Sequence, residues 1–247
     1  MGRMGRMGHP PNRTGQTVHP HAKRARKETL GVRAGVSPNA GYGVKSPAFY
    51  PKWAEEFSGR YATWVEAVMH RGATVWLTGL PSAGKTTIAK AAAAALSADG
   101  CRVEVLDGDV VRRSLSPGLG YSRAERAENV QRIGFVAEVL ARNGVLVLAA
   151  VVSPHSDARA MVRARHAASG TPYYEVHVST PVTECAARDV KGLYARQARG
   201  ELAGLTGVDD VYEPPEAPDL SIDTREQSER ASADAVLAML RARKVLP

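Results

Sequence analysis

A lysine that follows a glycine and precedes two hydroxyl residues, Gly84-Lys85-Thr86-Thr87, closes a run that begins at Gly79. With Leu80, Pro81, Ser82 and Ala83 between the two glycines, the run satisfies the pattern G-x-x-x-x-G-K-[ST]. The apolar stretch Thr74-Val75-Trp76-Leu77-Thr78 precedes it and an alanine-rich stretch from Thr86 to Ala98 follows. Strand, glycine loop and helix therefore arrive in the order that a phosphate-binding loop requires. The glycines let successive backbone N–H groups curl around phosphate oxygens, and the helix N-terminus adds its partial positive charge. Lys85 then reaches the β- and γ-phosphates of a nucleoside triphosphate such as ATP, and the Thr86 hydroxyl holds Mg2+. A plain glycine turn is the weaker alternative, because all four fixed positions are filled in the right context.

A second group of polar residues, Asp107-Gly108-Asp109-Val110-Val111-Arg112, follows the next apolar run. In a doubly wound sheet, ligands gather at the carboxyl ends of the strands, which sets this group opposite the glycine loop. Two carboxylates there suit Mg2+–water contacts or proton abstraction from an acceptor hydroxyl. The bland alternative, weightier for Asp107 than for Asp109, is that the first aspartate caps a following helix.

The elements that must position these groups alternate from Gly72 onward. Apolar runs predict strands at Thr74–Thr78, Arg102–Leu106, Gly144–Val152, Tyr173–Val178 and Leu220–Ile222. Helices are predicted at Lys85–Ala98, Arg123–Asn143, Ser156–Ala168, Pro181–Arg188 and Gln227–Lys244. Such alternation specifies an α/β fold of three layers, a parallel sheet with helices on both faces, of the P-loop nucleotide-binding kind. Residues 189–217 mix charge, glycine and proline and read as a mobile lid within a domain spanning 71–247. Ahead of that domain, Trp53, Phe57, Tyr61, Trp64, Val65 and Val68 recur at helical spacing, so 53–70 reads as an amphipathic helix packed on the domain or at a subunit interface.

Residues 1–52 hold ten Lys or Arg against the single acid Glu28, while the whole chain carries +8, so the basicity belongs to this leader and the remainder is near neutral. Its Gly, Pro and Arg content predicts disorder. Lys23-Arg24-Ala25-Arg26-Lys27 is the only run suited to nucleic acid or anionic lipid, and a solvated tail is the plainer reading. His19 and His21 have the spacing of a weak metal clip without further ligands. No apolar run is long enough to span a membrane, and no hydrophobic segment near the N-terminus resembles a secretory signal. Cys101 and Cys185 are too few for a disulfide framework and are expected to be inert thiols in a reducing cytoplasm.

From His70 to Thr224 the sequence resembles adenylylsulfate kinase. The motifs that carry the resemblance are His70-Arg71-Gly72 running into the glycine loop, Leu106-Asp107-Gly108-Asp109, Leu119-Gly120-Tyr121-Ser122, and Arg126-Ala127-Glu128-Asn129-Val130-Gln131-Arg132-Ile133-Gly134. Ser153-Pro154, Ala187-Arg188-Asp189-Val190-Lys191-Gly192-Leu193-Tyr194, Thr206-Gly207-Val208-Asp209-Asp210 and Tyr212-Glu213-Pro214-Pro215 follow in the family's order. The resemblance implies transfer of the γ-phosphoryl group of ATP to the ribose 3′-hydroxyl of adenosine 5′-phosphosulfate (APS), giving PAPS, in cytoplasmic sulfate activation. Under it, Arg112, Arg126 and Lys191 clamp the phosphosulfate, with Asp107 alongside them on the substrate side. Asn129 bonds polar groups of the acceptor, Tyr121 offers its ring to adenine, and Asp109 orients or deprotonates the 3′-hydroxyl. Ser153 stands where a phosphoserine has been proposed for the family, although in-line transfer needs no such intermediate. Dimers are common in that family, so a homodimer is an expected arrangement.

Departures from the family's pattern cluster on the acceptor side: Val110 for Asn, Gly118 for an acid, Ser156 for Arg, Leu205 for Phe, and Val190 and Val211 for prolines. They leave open a kinase re-tuned to another small hydroxyl acceptor. A third reading, a nucleotide-binding regulatory protein that contacts nucleic acid through its basic leader, is opposed by the retained Lys85, Thr86, Asp109, Arg112, Arg126, Asn129 and Lys191.

Overall fold

Every residue of strand β1, Ala73–Gly79, is buried, and its side chains alternate between two separate cores. Ala73, Val75 and Leu77 face one side, while Trp76 faces the other. The computed structural model describes residues 72–246, so the basic leader, the 53–70 stripe and the His19/His21 pair lie outside the described residues.

The strands form one parallel sheet in the order β2-β3-β1-β4-β5, with β2 at Val103–Asp107, β3 at Leu146–Ala150, β4 at Tyr173–Val178 and β5 at Leu220–Ile222. β1 pairs with β3 from Ala73 opposite Leu146 to Leu77 opposite Ala150, and with β4 from Thr74 opposite Tyr173 to Gly79 opposite Val178. The connection from β1 runs to one side and the connection from β3 crosses to the other. This puts a topological switch point at the carboxyl end of β1, where open α/β sheets bind ligands.

On one face, Ile88, Ala89, Ala92 and Leu96 of helix α1 (Lys85–Ala98) and Val236, Leu237 and Leu240 of helix α7 (Glu229–Ala242) pack against Val75, Leu77, Leu148 and Val176. On the other face lie α3 (Arg123–Arg142) and α4 (Ser156–Ala168), whose Val130, Ile133, Ala137 and Val162 cover Trp76, Val147 and Ala149. Two covered faces explain why the strands read as unbroken apolar runs.

The predicted parallel three-layer α/β fold is observed, with differences at its edges. β3 is shorter than the apolar run Gly144–Val152, because its ladder extends only where β1 and β2 flank it. Helix α2, Gly108–Leu115, buries none of its residues fully and was anticipated only as the helix that Asp107 would cap. It is started by Asp107, whose carboxylate accepts from the amides of Asp109 and Val110. The 189–217 segment contains helix α6, Leu193–Ala198, and its Tyr194, Leu205 and Thr206 are buried against the body. Cys185 is buried on α5, Val182–Arg188, and Cys101 is partly exposed before β2. Burial raises the pKa of both thiols.

α3 and α4 approach closely because Gly134 has no side chain: a Cβ there would lie 2.6 Å from Val162 Cγ2. Gly134→Val is expected to lower stability by an amount near the top of the ~1–3 kcal/mol range for overpacking. Urea unfolding reads it directly, and an unchanged midpoint would show that the two helices separate freely.

Candidate functional site

β1 delivers the chain at Gly79 into a loop whose turn requires left-handed backbone at Ser82 (φ 61°) and Gly84 (φ 104°). Helices α2, α3 and α7 carry side-chain caps from Asp107, Ser122 and Ser228, whereas α1 starts at Gly84 with no side-chain cap and no acid in its first turn. The first-turn amides of Lys85, Thr86 and Thr87 are therefore left as donors for an anion. The loop is braced from below. Thr180 and Thr224 donate to the Ala83 carbonyl at 3.1 and 3.3 Å, and the Tyr194 hydroxyl donates to the Pro81 carbonyl at 3.0 Å.

Lys85 is buried, its Nζ donating to the carbonyls of Gly79 (2.9 Å) and Leu80 (2.7 Å). Burial lowers its pKa to about 7, with the Lys191 charge adding to the drop and the Asp107 carboxylate opposing it. Thr86 donates its hydroxyl proton to Asp107 Oδ2 at 2.6 Å, which turns the remaining lone pairs of the oxygen outward. Asp107 is thus occupied twice, by Thr86 and by the α2 cap, and it does not line the cavity.

A cleft of about 610 Å3 opens above the loop, large enough for drug-sized or nucleotide ligands. Pro81, Ser82, Ala83, Gly84, Lys85, Thr86 and Thr87 line one side of it, and Asp109, Arg112, Tyr121, Arg126, Asn129 and Lys191 line the other. Gly79 and Leu80 lie just behind, at the end of β1. Asn129 is buried, and its Oδ1 has no hydrogen-bond partner among the described residues. A buried amide oxygen in that condition calls for a donor from a ligand or water.

The cations across the cleft hold protein groups. Arg112 donates to the Leu119 carbonyl at 2.8 Å and to that of Gly120, with its guanidinium 4.4 Å from the Tyr121 ring centre. The Arg126 guanidinium also lies 5.3 Å from the centre of the same ring. It also donates to the carbonyls of Tyr121 (2.7 Å) and Gly204 (2.6 Å), to the Thr206 hydroxyl (3.2 Å), and pairs with Asp210 at 3.3 Å. Arg126 therefore ties the 204–210 segment to the start of α3. Lys191 pairs with Asp109, and both are exposed.

The rim after β3 includes Ser153, which lines the cleft while its side chain is engaged by its neighbours. Ser153 is 1% exposed, at a positive φ of 40°, and its hydroxyl takes the Trp76 indole proton at 3.0 Å while lying 3.0 Å from the Thr78 hydroxyl. Beside it, Glu213 accepts from the backbone and hydroxyl of Ser156 at 2.8 and 2.5 Å, which holds its carboxyl down at about 2. Arg159 joins this rim to the sheet through Glu175, the Ser153 carbonyl and the Glu213 carbonyl. Ser156, the residue that removes a cation from the family's pattern, serves here as the partner of Glu213.

Sequence reasoning passed over Thr180, Thr224 and Arg188. Arg188 lines the cleft and donates to the Thr224 hydroxyl at 2.7 Å. The one available signal was their position, since all follow the carboxyl ends of β4 or β5 or sit in the Ala187-Arg188-Asp189 motif.

Two outcomes are expected. Because the native Lys85 pKa lies below that of an unfolded lysine, the unfolded chain binds more protons from about pH 7 to 10.5, and the lysine's contribution to stability improves as pH rises through that window. Anionic phosphates reverse the shift, so triphosphate binding near pH 8 is expected to take up a proton on Lys85. Calorimetry in buffers of different ionisation enthalpy reads the uptake, and uptake that persists in Lys85→Met would assign it elsewhere. Ser153→Ala is expected to lower stability by about 1–3 kcal/mol through its orphaned buried partners while turnover persists. Loss of turnover with unchanged stability would return the hydroxyl to the chemistry.

The model of the family described as adenylylsulphate kinase matches residues 71–223. The chain is similar to the adenylyl-sulfate kinase of Picosynechococcus sp., at 47% identity over 171 residues, covering 69% of this chain and 94% of that protein. It is also similar to the adenylyl-sulfate kinase of a Synechococcus strain, at 50% identity over 173 residues, covering 70% of this chain and 97% of that protein. Among solved structures, the APS kinase of Mycobacterium tuberculosis in complex with AMPPNP and APS superposes with a TM-score of 0.68 and 42% identity, over 69% of this chain and 98% of that one. With its sheet order, its uncapped glycine loop and most of its length inside that match, the chain belongs to the adenylylsulfate kinase family.

Proposed function

We propose that this chain transfers the γ-phosphoryl group of ATP to the 3′-hydroxyl of adenosine 5′-phosphosulfate, giving PAPS, with the cytoplasm as its place of action. The observation that carries the reading is one cleft in which an uncapped helix N-terminus with Lys85 faces Arg112, Arg126, Asn129 and the Lys191–Asp109 pair. A triphosphate held on the first-turn amides of α1 presents its terminal phosphorus toward the opposite wall. Lys85, drawn off the Gly79 and Leu80 carbonyls, would meet the β- and γ-oxygens as an ammonium.

The donor set fits Mg2+ in its usual form, few protein ligands plus phosphate oxygens and waters. Thr86, its proton fixed on Asp107, would hold the ion directly and Asp107 would orient a bound water. When bound, the ion neutralises charge developing between the β- and γ-oxygens. No group of three or more His, Cys, Asp or Glu forms a metal cluster among the described residues, so this ion depends on the nucleotide.

On the acceptor side, Lys191 has two anions available to it, Asp109 and the incoming phosphosulfate. Exchange of the lysine onto the substrate releases the Asp109 carboxylate to accept the 3′-hydroxyl proton. Arg112 and Arg126 can each exchange a carbonyl partner for a charged oxygen, a stronger hydrogen bond. Asn129 supplies its free Oδ1 as an acceptor for a ligand N–H or O–H.

The test is a coupled assay of the purified chain with Mg-ATP and APS. PAPS is the expected product, and Lys85→Ala is expected to reduce turnover on the order of a hundredfold or more, the size seen when one charge-stabilising donor is removed. Asp109→Asn is expected to lower kcat with little change in the KM for ATP. ATP binding without PAPS formation would overturn the assignment and point to another hydroxyl acceptor. Salt-sensitive binding of nucleic acid that vanishes with residues 1–52 would favour the regulatory reading.

A further inference from the structure

The segment 204–213, whose first residues line the cleft, is held at two places by arginines from different helices. Arg126 of α3 reaches its first half from inside the cleft, through the Gly204 carbonyl, Thr206 and Asp210. The Asp209 carboxylate closes that half on itself, accepting from the amides of Gly204 and Leu205 at 2.9 and 2.6 Å. The second half is held from behind by Arg159 of α4, which is 3% exposed and is not among the residues that line the cleft.

Arg159 uses all three of its nitrogens. Nε donates to Glu175 Oε1 at 2.7 Å, and the two terminal nitrogens donate to the carbonyls of Ser153 at 2.8 Å and Glu213 at 2.7 Å. Glu175 is a firm anchor: it lies on β4 opposite Trp76 of the central strand, and its amide and carbonyl both bond to Asp219. The two carbonyls are where restraint is needed. Ser153 sits at a φ of 40°, a left-handed backbone that a serine keeps only when its surroundings over-determine it. Glu213 is where the segment joins the rim, its amide donating to the Pro154 carbonyl at 2.9 Å. Ser153 and Pro154 line the cleft, as do Gly204 and Thr206, so both groups that Arg159 secures border the ligand space.

We propose that Arg159 is a positioning residue for the acceptor. By holding the Ser153 and Glu213 carbonyls against Glu175, it sets the spacing between the rim after β3 and the 204–213 segment, and through that segment the placement of Arg126. The planar fork keeps three partners in one geometry, whereas a lysine would keep the ion pair and lose the fork. Donor binding does not depend on it, because Thr180, Thr224 and Tyr194 brace the glycine loop separately.

Arg159→Lys in the full chain tests this, since it retains a cation beside Glu175. The KM for APS is expected to rise roughly tenfold, the size of one lost charged hydrogen bond, with the KM for ATP unchanged. Hydrogen exchange at the Glu213 amide is expected to be slow in the unsubstituted chain and several-fold faster in Arg159→Lys, with the sheet amides unchanged. Arg159→Met/Glu175→Met, which removes the pair without leaving a lone buried charge, is expected to give the same two changes. An unchanged KM for APS, a rise shared equally by the KM for ATP, or exchange at Glu213 that Arg159→Lys leaves unchanged would each overturn the proposal. So would rapid exchange of that amide in the unsubstituted chain. The kinetic arm rests on the proposed reaction; a chain that makes no PAPS would overturn that reaction, and the exchange arm would still decide whether Arg159 holds the segment.

Discussion

Helix α1 begins with amides that no side chain of the described structure caps, directly under the central strand of the sheet. Unpaired helix N-termini are costly when shielded from water; Asp107, Ser122 and Ser228 remove the cost at α2, α3 and α7, whereas α1, like α4, α5 and α6, has no side-chain N-cap. At α1 the donors are kept for an anion instead. The surroundings follow from that choice: the loop needs left-handed backbone, a lysine held by carbonyls rather than by a carboxylate, and supports that act on its carbonyls. Thr180, Thr224 and Tyr194 bond to the Ala83 and Pro81 carbonyls and leave the N–H side clear.

The sheet holds this arrangement from both sides. Because β1 sends alternate side chains to two cores, the α1/α7 layer fixes the helix proposed to bind the donor, and the α3/α4 layer fixes the residues proposed to face the acceptor. Asn129 and Arg126 are near the start of α3, whose buried face packs through Val130 and Ile133. Displacement of α3 relative to β1 would therefore alter the distance between the two halves of the cleft, and the Gly134–Val162 contact restrains it.

How much of this was legible in the sequence depends on the physical source of each feature. The glycine loop and the strands under it were readable because they rest on local backbone requirements and on apolar runs, and helices α1 and α4 and strands β4 and β5 lie at the predicted bounds. Helix α2 was legible only through its cap: the Asp107 alternative foresaw it, but its short run of mixed residues gave no strand or helix prediction. The cleft's cations were legible as residue types, but their partners were not. Arg126 reaches Gly204, Thr206 and Asp210, contacts roughly eighty residues distant that no spacing rule encodes. Ser153 was legible only through its place in a motif, and its turn toward Trp76 comes from strand pairing. The exchange of Ser156 with Glu213 is of the same kind: a lost cation in the sequence, a closed hydrogen-bond pair in space.

The bond from Trp76 to Ser153 has a consequence for how substitutions in this protein should be sorted. Trp76 is wholly buried among aliphatic side chains and the ring of Tyr173, yet its one polar atom ends on the rim of the cleft. The customary division between residues that fold the chain and residues that work for it does not hold at this position. Mutational tolerance in the α3/α4 core is therefore set by the geometry of the rim as well as by packing volume. An engineer redesigning that core for heat resistance would be editing the cleft at the same time.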